Sequence, residues 1–247
     1  MPNVASKWIN ASLPTDRELQ SRVKRLSYRS VAEFMAERFH TDVEFLEELN
    51  GAARLKKLGI GDEVVVPAVA PFVIETLVGL QFQHREDLAQ RHVVVDTARH
   101  QLRIYDGMPA ALVVRPDEEG TAATATMPNR ALVASFPITP GQKKFIHFGM
   151  WQVKTCVELP TWRYDKLLLE TGKRSKRASE VFDLPPGPNS PVGVLWAGLD
   201  KPGIGLHGTA DPETIGRAQS AGCIRLANWD AIRLPQFISP GTSVEIR

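Results

Sequence analysis

No long apolar run interrupts this chain of 247 residues, cysteines are few, and neither charge dominates. The most apolar stretch, Val64 to Ile74, is broken by Pro67 and Pro71 and stopped by Glu75. It is too short and too kinked for a bilayer span, which asks for about 20 apolar residues. Residues 1–20 are polar, with only scattered apolar positions such as Trp8 and Ile9, so no secretory signal core stands there. Lys plus Arg number 30 against 28 Asp plus Glu, which argues against nucleic acid as a partner. His92, His100 and His147 are scattered, and no His, Cys or carboxylate cluster has metal-ligand spacing; neither a metal nor a cofactor is expected. The two cysteines, Cys156 and Cys223, could form one disulfide at most. With 43% hydrophobic residues the composition is that of an ordinary globular chain, long enough for one large or two smaller domains.

What is present is a pair of small-residue segments carrying a histidine and a cysteine. Ile204-Gly-Leu-His207-Gly-Thr is followed by Ser220-Ala-Gly-Cys223-Ile-Arg225-Leu, with His207 and Cys223 sixteen positions apart. A thiol attacks as thiolate and needs a base or cation beside it. Free cysteine ionises near ~8.5 and histidine near ~6.5, so a hydrogen-bonded pair can form a thiolate–imidazolium couple near neutral pH. Gly208 and Gly222 permit unusual backbone angles and let a substrate carbonyl approach peptide N–H groups. An isolated cysteine and histidine would more readily be core packing and a surface residue; the run Ser220 to Leu226, read whole, outweighs that. A disulfide to Cys156 would block the nucleophile, so Cys156, within Val153-Lys-Thr-Cys156-Val157, reads as an inert strand residue.

These segments resemble the signature of the L,D-transpeptidases, bacterial cell-wall enzymes with a His-Gly, a spacer, and Ser-His-Gly-Cys-Ile-Arg. The similarity extends to Leu226-Ala-Asn228-Trp-Asp230 and Pro240-Gly241-Thr-Ser-Val244-Glu-Ile246, covering roughly residues 91–247. One position departs: Ala221 stands where the family usually has a second histidine. The resemblance implies that Cys223 attacks a peptidoglycan stem peptide and that His207 activates it, held by the Gly208 carbonyl. It implies an oxyanion site at the N–H groups of Ala221, Gly222 and Cys223. Arg225, which holds a substrate carboxylate or braces the site, and Ser220 are further candidates. The product would be a 3→3 crosslink through a Cys acyl-enzyme with release of D-alanine. Two rivals share the residues: an L,D-carboxypeptidase, and a catalytically silent peptidoglycan-binding protein, which Ala221 favours. A papain-like peptidase fits less well, because there the cysteine precedes the histidine. The chain is expected to be a monomer, and the family implies work in the periplasm or cell envelope, its leader removed or absent from this chain.

Before this region, residues 22–67 read as a small βααβ unit, after an N-terminal extension over 1–21. Val23 to Tyr28 predicts a strand. Ser30-x-x-Glu33 and Thr41-x-x-Glu44 are capping boxes opening two helices, Asn50-Gly51 is a stop, and Gly61 to Pro67 predicts a second strand. Leu49-Asn50-Gly51 and Leu58-Gly-Ile-Gly61-Asp-Glu-Val-Val-Val-Pro67 resemble a lysin motif (LysM), which implies binding to glycan strands. The usual first-loop Gly-Asp-Thr-Leu is here Tyr28-Arg29-Ser30-Val31, so a structural or docking role is the alternative. Residues 68–90 read as a packed connector.

From residue 91 the pattern is that of many short strands, arguing for an α+β chain whose catalytic domain is mainly β and β-sandwich-like. His92 to Asp96 and Gln101 to Tyr105 predict strands joined by a hairpin at Thr97 to His100. Leu132 to Ile138, Phe145 to Phe148 and Trp151 to Leu159 predict more, with a turn at Thr139-Pro140-Gly141 and an exposed loop over Pro116 to Thr126. Trp162 and Tyr164 are candidate walls of a substrate channel. The basic run Lys173 to Arg177 reads as solvated surface or an attractor of acidic stems, and Trp196 as core.

Overall fold

Valine-rich and alternating segments set the strands of the computed structural model, which describes residues 6–59, 61–107, 131–142, 145–171, 174–217 and 222–247. In chain order the strands are β1 (Gln81–Phe82), β2 (His92–Asp96), β3 (Gln101–Tyr105), β4 (Leu132–Pro137), β5 (Gly149–Glu158), β6 (Trp162–Asp165), β7 (Val181–Leu184), β8 (Leu195–Leu199), β9 (Gly205–His207), β10 (Ile224–Arg225) and β11 (Ser243–Ile246). Nine of them form one sheet in the order β10-β9-β8-β5-β11-β2-β3-β4, with β1 added to β5; β6 and β7 pair separately. β2 is buried along its whole length. It lies between parallel β11 and antiparallel β3, which explains its unbroken valine run. The hairpin at Thr97–His100 forms as its sequence predicts, His100 taking a left-handed φ of 53°.

The sandwich expectation is corrected to one curled sheet, and the ten residues of β5 are the reason. Its first part pairs with β11 (Met150 opposite Glu245) and its second with β8 (Val157 opposite Trp196). The register shifts between Val153 and Thr155, where the strand passes from one half to the other. Val93, Val95, Ile104, Val153, Leu206, Ile224 and Val244 fill the core inside the curl. Phe145 to Phe148 is not a strand. The amides of Phe145 and Ile146 both donate to the Gln142 carbonyl, at 2.8 and 3.0 Å, because the chain turns there. The loop expected over 116–126 lies outside the described residues, as do Ser220 and Ala221.

In the N-terminal part the two helices form, at Val31–Arg38 and Val43–Asn50. Ser30 caps the first, accepting from the Glu33 amide at 3.0 Å. The second is capped by Asp42, not Thr41: its carboxylate accepts from the Phe45 amide at 2.7 Å, one residue later than the box pattern predicts. Gly51, at φ 82°, ends that helix as expected. The flanking strands do not form. Val23 to Tyr28 yields a single bridge, Tyr28 with Ile9. Over 61–67 the Asn50 side chain takes the place of a partner strand, donating to the Val65 carbonyl and accepting from the Val65 amide, each at 2.8 Å.

The connector is packed, as its composition predicts. Phe72 and Ile74 join Trp8, Tyr28, Phe34 and Val194 in one buried cluster, with Leu159 and Trp229 against it. Glu158 accepts from the amides of Val78, Gly79 and Leu80. Among the described residues no helix is long and apolar enough to cross a membrane, and no group of three or more His, Cys, Asp or Glu could hold a metal.

Candidate active site

Two short parallel strands bring the histidine and cysteine together. β9 ends at His207, and β10 begins at Ile224 with Arg225 in register with His207 and Ile224 with Leu206. Cys223 therefore enters beside the start of β9. Both side chains line a cavity of about 850 Å³, which Trp162, Trp196, Phe145 and Arg225 also line.

His207 is buried, its Nδ1 donating to the carbonyl of Gly208 at 2.6 Å. That bond fixes the tautomer and leaves Nε2 as the free base. Trp196, opposite His207 across the β8–β9 ladder, stacks on the imidazole with centroids 5.4 Å apart. Trp196 is thus a wall of the site, where the sequence pointed to core alone. Burial pushes the imidazole down to about 4, with the Arg225 charge assisting and the Gly208 bond opposing.

The Cys223 thiol donates to the Gly203 carbonyl at 3.3 Å. Burial pushes it up to about 11, against a backbone hydrogen bond from Gly205 and the Arg225 charge. With the imidazole lowered and the thiol raised, burial favours thiol and imidazole over the thiolate–imidazolium couple that a hydrogen-bonded pair can form. Cys156 is fully buried and its thiol pushed up to about 12, which fits an inert packing residue.

Close glycine packing holds the cysteine loop. Gly222 has φ 123°, and a Cβ there would meet the Phe145 carbonyl oxygen at 3.1 Å. A Cβ on Gly141 would lie 2.4 Å from the Gly222 Cα. Thr139 and Arg225 exchange backbone hydrogen bonds at 2.9 and 3.0 Å, stitching the same turn to β10. On the other side Asn228 is fully buried against Gly208; a Cβ on Gly208 would come within 2.1 Å of its Oδ1. Asn228 was visible only as part of a resemblance, and Gly141 only as a turn residue; no local pattern marks a contact between distant segments.

Of the other expected residues, Arg225 and Trp162 line the cavity and Tyr164 does not. Tyr164 stacks on Phe182, with the Arg17 guanidinium 5.8 Å from its ring centre. The β6–β7 ladder sets Tyr164 opposite Phe182, which draws it into the small cluster around Leu13, Leu26 and Leu184.

A curled, mainly β sheet thus brings a buried histidine at the end of β9 and a cysteine just before β10 to one cavity. Residues 90–246 match the YkuD model, the L,D-transpeptidase catalytic domain, and the chain belongs to that family. A YkuD protein of Bacillus licheniformis is 44% identical over 66 residues, which are 27% of this chain and 40% of that one. A protein encoded in the ATP synthase subunits region of Fuscovulum blasticum is 30% identical over 118 residues, 48% of this chain and 58% of that one. The chain thus spans less than two thirds of these relatives' length. Among solved structures it is similar to L,D-transpeptidase 3 from Mycobacterium tuberculosis bearing a faropenem-derived adduct. The TM-score is 0.42 and the identity 13%, covering 64% of this chain and 60% of that one.

Proposed function

We propose that the chain is a peptidoglycan L,D-transpeptidase forming 3→3 crosslinks through an acyl-enzyme on Cys223. The observation that carries this reading is the placement of Cys223 in one cavity with a buried His207 whose Nδ1 is fixed on Gly208. With Nδ1 occupied, Nε2 takes the thiol proton as sulfur attacks the amide between the third-position diamino acid, at its L-centre, and the terminal D-alanine. The N–H groups at Gly222 and Cys223, with that of Ala221, receive the oxyanion. The imidazolium then protonates the departing amine, D-alanine leaves, and a thioester remains. A side-chain amine of a second stem attacks the thioester, loses its proton to His207, and the thiolate regains a proton.

Burial favours the neutral pair, so the proton passes to Nε2 as sulfur attacks the amide. The helix pair over 31–50 keeps the middle of a LysM-like unit without its strands, and its packing through Phe34 and Glu37 favours the docking role over glycan binding, with the stem peptides bound at the cavity and the whole working as a monomer in the cell envelope. Intact-mass spectrometry of the protein incubated with a purified stem tetrapeptide tests the proposal. The expected adduct is on Cys223, absent in Cys223→Ala, and an added amine acceptor converts trimmed monomer to dimer. Trimmed monomer alone would move the assignment to an L,D-carboxypeptidase.

A further inference from the structure

The cavity holding Cys223 and His207 is not built by the family-matched stretch alone. Thr15, Arg17, Gln20 and Arg29, which all precede residue 90, line it as well. Arg163, Arg174 and Arg225 complete the basic lining, and Asp165 and Asp211 are the carboxylates there. Asp165 is committed to capping, accepting from the amides of Leu168 at 3.0 Å and Ser175 at 2.9 Å. Asp211 acts electrostatically on Arg225. Five arginines therefore line a space in which both carboxylates already have partners.

Arg29 is the telling one. Its Nη1 is buried and has no hydrogen-bond partner among the described residues. Its backbone is held: the Arg29 amide donates to Glu33 Oε2 at 2.6 Å, and Asn189 donates to Glu33 Oε1 at 2.7 Å and to the Ser27 carbonyl at 2.7 Å. Glu33 is thereby committed to anchoring the turn. Arg17 is also pre-oriented, donating to Gln20 Oε1 at 2.6 Å while lying over Tyr164. A buried N–H without an acceptor is costly, and a guanidinium fork is matched in shape and charge by a carboxylate.

We propose that residues 15–29 complete the acyl-donor site, Arg29 with Arg17 binding a free carboxylate of the stem peptide while Cys223 takes its amide. This rests on the reading that Cys223 is acylated by a stem peptide. It makes the segment before the catalytic domain a determinant of specificity, sorting stems by the carboxylates they leave unamidated.

The test compares acylation of the full chain by two tetrapeptide stems, one with free side-chain and α-carboxylates and one with these as carboxamides. Wild type, Arg29→Gln, Arg29→Lys and Arg17→Gln are measured for KM and kcat, alongside alkylation of Cys223 by neutral iodoacetamide. Wild type is expected to prefer the free-acid stem by about 10- to 100-fold, almost wholly in KM. That preference collapses in Arg29→Gln, is partly kept in Arg29→Lys, and is weakened in Arg17→Gln. Iodoacetamide labelling at the wild-type rate reports an intact site in each variant. A preference unchanged by Arg29→Gln and Arg17→Gln overturns the proposal, as does an equal loss on both stems. If wild type alkylates at Cys223 but neither stem acylates it, the donor reading itself falls, a different result from either of these.

Discussion

Asn228 donates to the Glu37 carboxyl at 2.8 Å across 191 positions of sequence. Its other end, Oδ1, accepts from the Val194 amide at 3.0 Å and lies against Gly208, whose carbonyl holds His207. One buried amide thus touches both the N-terminal helix and the peptide that orients the proposed base.

Asn228→Ala should therefore be costly. It leaves the Val194 N–H and a Glu37 oxygen without partners, at about 1–3 kcal/mol each. Urea unfolding should show a loss of about 2–5 kcal/mol, and acylation should fall at least about tenfold as the Gly208 carbonyl shifts. A stability within about 0.5 kcal/mol of wild type would mean that water or repacking replaces the amide.

Glu37 predicts a pH dependence of stability. Burial pushes its carboxyl up to about 8, against the hydrogen bonds from Tyr28 and Asn228. Between the ordinary carboxylate range and that value the folded protein keeps a proton that the unfolded chain has lost. Stability contributed by this group is therefore full at acid pH, falls as pH rises through this window by at most ~1.4 kcal/mol per unit, and levels off above it. Glu37→Gln, which mimics the protonated acid, should flatten this slope when urea midpoints are compared from about pH 5 to about pH 9. Parallel slopes in the two proteins would assign the dependence elsewhere.

The neutral pair that burial favours makes a kinetic prediction. With the thiol raised to about 11, iodoacetamide labelling of Cys223 should keep accelerating from neutral pH well into the alkaline range. A plateau reached near neutrality would reveal a preformed thiolate–imidazolium. His207→Gln should change this profile little while lowering acylation by the stem about 10²–10⁴-fold.

Gly141→Ala tests the loop packing. Its methyl would sit 2.4 Å from the Gly222 Cα, so the cysteine loop must move. A displacement of about 1 Å costs on the order of 10²-fold in rate. Acylation should drop by that amount while far-UV circular dichroism stays native; full activity would show that the turn at 139–142 yields instead.

Much of this was legible in the chain itself. His207, Cys223 and Gly208 stand in a run whose chemistry reads locally, and the valine alternation of β2 and β3 names its own strands. Pairing between segments was not legible. Nothing near β5 announces that one strand joins both halves of the sheet, so two layers were expected where one curls. Val23 to Tyr28 and 61–67 have strand-like composition, yet their polar groups find the Pro186 carbonyl, Trp8 and the Asn50 side chain instead of a ladder. Asp42 displaced Thr41 as a cap because both precede the helix and the carboxylate, one residue later, reaches the Phe45 amide.

The cluster shared by Trp8, Tyr28, Phe34 and Val194 bears on how such chains can be recombined. Removing residues 6–50 would strip cover from Val194, Leu159 and Trp229, and would free the Gly187 backbone that now abuts the Leu26 backbone too closely for any side chain. The sheet would then present an apolar face of the kind that drives aggregation. A transplant of residues 6–50 onto another member of the family would succeed only where the recipient supplies matching residues at these positions, glycine at 187 included.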